Sequence, residues 1–285
     1  MSGPAARTPE DEEFDEADVI LADLRRKTET GESDLPWGDC VDRTWSADGA
    51  LRVTREYSAS LQPGAPRLLI RELPYSAHPC SGVGGTGGVV WPGALVLCEL
   101  LRERRDELLA DAQVMLEIGA GCGLAGLCAA SLFAELPAAS GRRVILTDGP
   151  EAVMENLQHN VEANSVRLPG LRLEAARLTW EELLDGTTPP PVEEVDFLVG
   201  SDVIWGGRAP LVANVARRLV KPLGWVAISA QEGREGLGEF EANLRGDAGP
   251  ASTQPLVGPD FDVEVRHTSC EGEAFVLFIC HRHQK

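Results

Sequence analysis

The stretch that decides the fold is Val114-Met-Leu-Glu-Ile-Gly-Ala-Gly-Cys-Gly-Leu-Ala-Gly126. Residues 114–118 form a short apolar run, which is long enough for a buried strand and too short for a helix. Alternate glycines follow from Gly119 to Gly123, and apolar residues then recur at helical spacing up to Leu132. A strand, a glycine turn and a helix in this order open a nucleotide-binding βαβ unit, in which the glycines let the backbone approach a ligand closely.

The glycine motif matches two different ligand patterns. From Gly121 onward it matches G-x-G-x-x-G, the dinucleotide fingerprint, through Gly123 and Gly126. From Glu117 onward it matches E-x-G-x-G-x-G, the pattern of enzymes that bind S-adenosylmethionine. A pyrophosphate is an anion and favours bare N–H groups at a helix start, whereas S-adenosylmethionine has no phosphate and carries an ammonium and a sulfonium. The acid at the strand end suits the second ligand better, but the motif alone leaves both open.

Composition limits the class of protein and of partner. The chain has 285 residues, 43% of them hydrophobic, so it can bury a sizeable core in one large domain or two small ones. Its formal net charge is −19, which disfavours nucleic acid because the phosphates would be repelled, and favours a cationic or neutral partner. We expect no membrane association, because the sequence has no uninterrupted apolar run of about 18 residues and its acidic N-terminus does not resemble a signal peptide.

Cysteine usage predicts the compartment. The seven cysteines are scattered without a C-x-x-C pair, a pattern typical of reduced thiols in the cytoplasm, and also of a nuclear protein. We expect no metal site. His281 and His283 are the only close histidine pair, and no cysteine or carboxylate cluster accompanies them.

The sequence divides into three regions. Residues 1–45 form an acidic arm for which we expect disorder, since residues 1–40 carry twelve acidic and four basic side chains. Residues 46–80 are interpreted as an N-terminal β-hairpin, with strands at 51–57 and 67–73 separated by the loop 62–66. The main domain follows at 81–285.

The main domain alternates strands with helices, which predicts an α/β fold with a doubly wound, mostly parallel, seven-stranded sheet. The last two strands are joined by a short connection and must form an antiparallel hairpin. The predicted strands cover residues 114–118, 143–148, 171–177, 195–201, 224–230, 261–267 and 274–280.

Acidic or aromatic residues follow four of the predicted strands. Ligands in such sheets bind outside the carboxyl ends of the strands, at the point where the strand order reverses. The residues expected there are 117–123, Asp148, 178–180 and 201–205. A glycine-rich segment, 82–88, precedes Trp91 and a helix that begins at Pro92. The glycine-rich segment, Trp91 and the helix are equally consistent with a purely structural packing role and with a flexible lid beside a pocket.

Several of these motifs together resemble the seven-strand methyltransferases, and within them the family 16 lysine methyltransferase-like group. The resemblance covers about residues 82–280. Its carriers are Thr86-Gly-Gly-Val-Val-Trp91, Leu116-Glu-Ile-Gly-Ala-Gly-Cys-Gly-Leu-Ala-Gly126, Leu146-Thr-Asp148, Leu178-Thr-Trp180 and Ser201-Asp202-Val-Ile-Trp205. It implies a Rossmann-like fold, S-adenosyl-L-methionine as cofactor, and N-methylation of a lysine on a non-histone protein.

The resemblance also implies a set of cofactor-binding residues. Asp148 would bind the ribose hydroxyls, Trp180 would lie beside the adenine, and Ser201 would line the cofactor cleft. Trp91, Gly119, Ala120 and Gly121 would contact the methionine end of the cofactor, and Glu117 and Gly123 complete the cofactor-binding set. Plainer structural roles are open for several of them, such as a helix cap for Asp148 or a core position for either tryptophan.

Asp202 and Trp205 are the predicted catalytic residues. A lysine ammonium must lose a proton before it can attack, since its reference pKa is about 10.4. The Asp202 carboxylate would attract and orient this group, and Trp205 would offer a π face to the cation. The family usually has tyrosine or phenylalanine at the second position, so Trp205 is a departure that bears on substrate choice and degree of methylation. A cap on the loop that follows it is the structural alternative for Asp202.

Two other functions stay open at this level. An NAD(P)-dependent oxidoreductase is supported only by Gly121, Gly123 and Gly126, and a non-catalytic methyltransferase-fold interaction module is favoured mildly by Trp205. We expect a monomer that acts on a protein substrate, and the resemblance suggests a chaperone or a translation factor. Lysine as the acceptor rests on the resemblance, so a histidine or a protein N-terminus is also open.

Overall fold

The computed structural model describes residues 38–45, 51–59, 64–75, 86–137, 141–246, 260–270 and 272–284. The predicted disordered arm lies outside the described residues up to residue 37, and so do residues 82–85 of the glycine-rich segment. In the described part of the chain, no helix is long and apolar enough to cross a bilayer.

The main sheet has seven strands: β4 (Val114–Glu117), β5 (Arg143–Asp148), β6 (Arg172–Arg177), β7 (Val195–Ser201), β8 (Val220–Gln231), β9 (Phe261–Cys270) and β10 (Glu273–Arg282). Their order in the sheet is β6-β5-β4-β7-β8-β10-β9. The first five are parallel, and β10 runs antiparallel to both β8 and β9, which confirms the predicted fold class and the terminal hairpin.

Helices cover both faces of this sheet. The helices are α1 (Pro92–Glu103), α2 (Arg105–Leu108), α3 (Leu124–Ala134), α4 (Glu151–Ser165), α5 (Trp180–Leu184), α6 (Ala209–Leu219) and α7 (Leu237–Arg245). Strand residues alternate between the two faces, so Met115 packs with α1, α3 and α4, whereas its neighbour Leu116 packs with α5, α6 and α7. Both layers are closed by buried apolar side chains, which makes the sheet a rigid base for the loops at its edge.

The N-terminal extension is a three-stranded antiparallel sheet rather than a hairpin. It contains β1 (Gly38–Trp45), β2 (Leu51–Tyr57) and β3 (Leu68–Tyr75), paired in that order. The two predicted strands are present. Strand β1 lies within residues 1–45, where the sequence predicted only a disordered arm, so that boundary was wrong. The acidic composition misled the prediction because β1 pairs along β2 with most of its side chains exposed.

Three buried asparagines attach this sheet to the main domain. Asn156, Asn160 and Asn164 recur every four residues along α4 and therefore share one face of the helix. The Asn164 side chain accepts the Leu69 N–H at 2.9 Å and donates to the Leu69 carbonyl at 2.7 Å, so it pairs with β3 as another strand would. This ladder is not evident from the sequence, because asparagine in a predicted helix is typical of a surface position or of a helix end.

Strand β8 begins four residues earlier than predicted. The predicted strand covers residues 224–230, yet the observed strand starts at Val220 and continues through Lys221 and Pro222. Proline is tolerated here because the pairing with β7 is irregular between Val195 and Phe197. Leu223 next to the proline has a left-handed backbone, with φ 63°.

Candidate active site

A cleft of about 700 Å³ opens at the carboxyl ends of the parallel strands. The loops that follow β4, β5, β6 and β7 form its walls, and the segment before α1 covers one side. Ten of the eleven predicted site residues line it: Trp91, Gly119, Ala120, Gly121, Gly123, Asp148, Trp180, Ser201, Asp202 and Trp205. The topology thus brings together groups that are up to 114 positions apart, from residue 91 to residue 205.

The wall made by β4 and β5 is held by backbone hydrogen bonds to Asp148. Its Oδ2 accepts the Gly121 N–H and its Oδ1 accepts the Gly149 N–H, both at 2.8 Å. Burial raises the pKa of the Asp148 carboxyl group, and the two N–H groups oppose this shift. Asp148 is not the N-cap of α4, a position occupied by Pro150. One carboxylate therefore sets the spacing between the glycine loop and the end of β5.

Glu117 is the one predicted site residue that does not line the cleft in the described structure, and its role as a cofactor ligand stays a prediction. Its side chain is buried beneath α3 at 1% exposure, where Oε2 accepts the Gly126 N–H at 2.9 Å. Burial raises its pKa to about 8; the Gly126 N–H opposes this shift, and the Asp148 carboxylate adds to it. The hydrogen bond from Gly126 places the Glu117 carboxyl group between β4 and α3, so it braces the glycine motif from within the fold.

Gly126 packs against this carboxyl group. A Cβ at Gly126 would stand 2.4 Å from Glu117 Oε2, so only glycine fits between α3 and β4. This third glycine of the dinucleotide pattern does not line the cleft in the described structure. Its role in the described structure is helix–strand packing, which weakens the dinucleotide interpretation of the motif.

Trp91 closes the cleft at the start of α1. Its indole N–H donates to the Thr86 carbonyl at 2.8 Å, within the short 3-10 turn at Thr86–Gly88. The preceding residue, Val90, donates its N–H to Glu72 Oε2 at 3.2 Å. Glu72 is itself buried and paired with Arg55 of β2 at 2.9 Å. The N-terminal sheet therefore helps to fix the segment that carries Trp91.

Trp180 is both a wall of the cleft and a core residue. It is the first residue of α5, is 9% exposed, and packs in the apolar layer behind β7. The opposing roles considered for it in the sequence, ligand wall and core aromatic, are compatible, because one side of the indole can face the cleft while the rest is buried.

Asp202 binds the N-terminus of α1. Its Oδ2 accepts the Gly93 N–H at 3.1 Å, and a Cβ at Gly93 would lie only 2.1 Å from that oxygen. The backbone of Asp202 is left-handed, with φ 53°, and its N–H donates to the Ser229 carbonyl at 2.8 Å. Asp202 therefore does have a capping role, which was the structural alternative for it. The N–H group that it caps belongs to Gly93 of α1 rather than to the loop that follows Asp202. A carboxylate at a helix N-terminus is stabilised by the helix dipole.

The electrostatic state of Asp202 is set by burial. Removal from water raises the pKa of its carboxyl group to about 6, while Arg234 and the N–H groups of Gln231 and Gly93 oppose this shift. Asp202 is consequently ionised at neutral pH, and a charge in a sheltered cleft acts more strongly on a nearby cation than a charge in water.

The indole ring of Trp205 contacts the guanidinium group of Arg208, a residue that is not among the predicted site residues. The guanidinium carbon of Arg208 lies 4.6 Å from the centroid of the Trp205 ring and 5.7 Å from that of Trp180. The sequence feature that could have revealed this contact is the pair Gly206-Gly207. A Gly-Gly dipeptide marks a tight turn, which brings the residues on either side of it close together.

A family model described as lysine methyltransferase matches residues 80–245, more than half of the chain. The chain belongs to the lysine methyltransferase family. This confirms the resemblance seen in the sequence, and the matched range of the family contains all eleven predicted site residues.

Three curated mouse relatives of this lysine methyltransferase-family chain show how far the similarity extends. Protein-lysine methyltransferase METTL21E is 34% identical over 119 residues, which is 42% of this chain and 45% of the relative. Protein N-lysine methyltransferase METTL21A is 36% identical over 121 residues, 42% of this chain and 49% of the relative. EEF1A lysine methyltransferase 3 is 29% identical over 148 residues, 52% of this chain and 56% of the relative. The chain spans about half the length of the curated relatives it matches.

Proposed function

We propose that the protein is an S-adenosylmethionine-dependent methyltransferase that methylates a lysine side chain of a non-histone protein. The observation that carries this proposal is the convergence of four strand ends on one cleft, with Asp148 and Trp180 on one side and Asp202 on the other. Membership of the lysine methyltransferase family supports the same reaction.

The cleft has the size and the chemical groups to hold S-adenosylmethionine. Its volume of about 700 Å³ lies in the range of small-molecule sites. Each Asp148 oxygen accepts one backbone N–H and keeps capacity for a second donor, so the pair of oxygens can accept two ribose hydroxyls. Trp180 offers an apolar wall for a flat base. Trp91 and the glycine loop surround the space left for the amino-acid end.

The acceptor side can prepare an amine for methyl transfer. When bound, S-adenosylmethionine would supply a methyl group on a positively charged sulfur; the amine would form its bond to the methyl carbon in line with the carbon–sulfur bond, which breaks as the sulfur leaves as a neutral thioether. The Asp202 carboxylate attracts the cationic end of a lysine and orients it, and its anchoring on Gly93 and Ser229 keeps its position fixed. The attacking nitrogen must lose its proton before the new bond forms.

The substrate is proposed at the level of class. One relative is named as acting on EEF1A, which favours a translation factor as substrate; a chaperone is the other class that the sequence resemblance suggested. The net charge of −19 favours a substrate with a basic surface around the target lysine.

Calorimetry and labelling together test this proposal. The purified protein should bind S-adenosylmethionine and show no comparable heat with NAD or NADP. Incubated with a cell lysate and S-adenosylmethionine radiolabelled on the methyl group, it should label a discrete protein on lysine. Binding without any labelled protein would favour the non-catalytic interaction module, and tight NAD(P) binding alone would favour the oxidoreductase.

A further inference from the structure

The acceptor side of the cleft already contains a cation. Arg208 lies with its guanidinium carbon 4.6 Å from the Trp205 ring centroid and 5.7 Å from the Trp180 ring centroid, and all three residues line the cleft. Both distances are within the roughly 6 Å at which a cation is attracted to an aromatic face. An arginine is permanently charged and stacks well on aromatic rings, so this contact is a built-in cation–π pair.

The local backbone is shaped to make this contact. Gly206 and Gly207 have φ values of 49° and 70°, and the Arg208 N–H donates to the Trp205 carbonyl at 3.0 Å. Positive φ at both central residues is the signature of a type I′ turn, a conformation that glycine adopts without steric cost. The turn reverses the chain within four residues, and this reversal places the Arg208 side chain over the ring of Trp205.

A carboxylate on the opposite wall holds the guanidinium in place. Arg208 Nη1 lies 3.1 Å from Glu181 Oε1, on the helix that begins with Trp180. The Arg208 side chain is about one-third exposed and that of Glu181 more so. An exposed ion pair of this kind is weak, so the arginine is held but can be moved.

We propose that Arg208 is a specificity-determining residue that occupies the π face of Trp205 until a cationic acceptor side chain displaces it. The identity of the acceptor as a lysine rests on the proposed function, whereas the occupancy of the ring by Arg208 does not. An entering ammonium must compete with Arg208 for the ring, and this competition disfavours cations that make no further contact with the cleft. From the usual strength of a cation–π pair, removal of Arg208 should tighten the binding of a simple cation at Trp205 by roughly 2- to 30-fold.

The test is a titration with n-butylammonium chloride, whose cation has the same four-carbon chain and ammonium group as a lysine side chain. The protein is labelled with nitrogen-15 in its tryptophan indoles, and the Trp205 signal is assigned by its loss in Trp205→Phe. At constant ionic strength, the Trp205 signal of Arg208→Ala should shift at butylammonium concentrations roughly 2- to 30-fold lower than in the wild type. Arg208→Lys, which retains a cation at this position, should lie between the two.

A matched control separates the effect of the Arg208 stacking contact from the effect of removing any positive charge from the cleft. Arg177 lines the same cleft and pairs with Glu182 of the same helix, but in the described part of the chain it is not stacked on a tryptophan. Arg177→Ala should therefore titrate as the wild type does. Glu181→Gln is a second variant that leaves Arg208 in place without its carboxylate partner, and it should shift the titration in the same direction as Arg208→Ala but less.

Two results would overturn the proposal. Equal titration of the Trp205 signal in wild type, Arg208→Ala and Glu181→Gln means that Arg208 does not hold the ring. No response of this signal in any of them means that the ring is not a cation site. Neither readout requires methyl transfer, so a protein that shows the expected titration but labels no substrate would refute the proposed function and leave the occupancy by Arg208 standing.

Discussion

The two sides of the cleft are built in different ways. On the cofactor side, Asp148 holds the glycine loop through N–H groups of Gly121 and Gly149, and the first of these contacts spans only 27 residues of sequence. On the acceptor side, Asp202 contacts Gly93 across 109 residues. The first side depends on backbone geometry encoded within one βαβ unit. The second depends on side chains that elements distant in sequence bring into contact. Substitutions on the two sides should therefore have different effects on cofactor binding and on methyl transfer.

The largest expected effect is on the acceptor side. Asp202→Asn removes the charge but keeps an oxygen for the Gly93 N–H, and asparagine also tolerates the left-handed backbone of this position. Methyl transfer to the labelled substrate should fall by roughly 100-fold or more, because the amine is no longer attracted and aligned. The affinity for S-adenosylmethionine, measured by calorimetry, should stay close to that of the wild type.

The same variant has a pH signature. Wild-type transfer should rise as the pH increases through about 6, since the Asp202 carboxyl group, whose pKa burial raises to that value, must be ionised. The residual activity of Asp202→Asn should lack this rise. If the variant keeps both full activity and the rise near pH 6, the attraction of the amine has another source.

The second prediction concerns the cofactor side. Asp148→Asn replaces a carboxylate with an amide, which has one acceptor oxygen instead of two. Hydrogen bonds to a charged group contribute about 1.5–3 kcal/mol, so the dissociation constant for S-adenosylmethionine should rise about 10- to 100-fold. Calorimetry with Asp148→Asn and Asp202→Asn in parallel checks this difference. A similar loss of cofactor affinity in both variants would erase the proposed distinction between the two sides.

The third prediction asks how far the cofactor side depends on the N-terminal sheet. Asn160 donates to the Cys122 carbonyl of the glycine loop at 2.9 Å and accepts the Arg71 N–H of β3 at 2.8 Å. Asn160→Ala leaves these buried groups unpaired and should lower the free energy of unfolding by about 2–4 kcal/mol, and it should also weaken cofactor binding. Urea denaturation measures the first effect. The matched control is Gln158→Ala on the same helix, where the exposed amide donates to Glu162 one turn away.

The last prediction concerns the pH dependence of stability and involves Glu117 beneath the motif. Its pKa of about 8 exceeds the ordinary value of 4.5, so the folded protein binds this proton more tightly than the unfolded chain does. The stability that the protonated group contributes is fully present below about pH 4.5 and is lost as the pH rises towards about 8. Glu117→Gln keeps an oxygen for Gly126 and cannot ionise, so the wild type should lose up to roughly 1.4 kcal/mol per pH unit relative to it in this window. Parallel stability curves for the two proteins would show that Glu117 does not titrate there.

Much of the fold could be predicted from local pattern. The strands β5 and β7 were predicted with their observed bounds because short apolar runs between glycine and charged residues have few other conformations. Strand β1 was missed, since its acidic and exposed residues have no periodicity that differs from that of a solvated tail. The asparagine ladder on α4 was missed for a related reason, because a buried polar face becomes visible only when its partner strand is known.

The sequence by itself determined the parallel sheet, the glycine loop, and the residues that follow each strand, because these depend on backbone conformations that short segments dictate. Only the tertiary structure decided which way each side chain points and what it contacts. It placed Glu117 beneath α3, joined Asp202 to the start of α1, and stacked Arg208 on Trp205. The physical reason is that a strand fixes the alternation of its side chains but not the element that packs against each face, and burial and charge pairing follow from that packing.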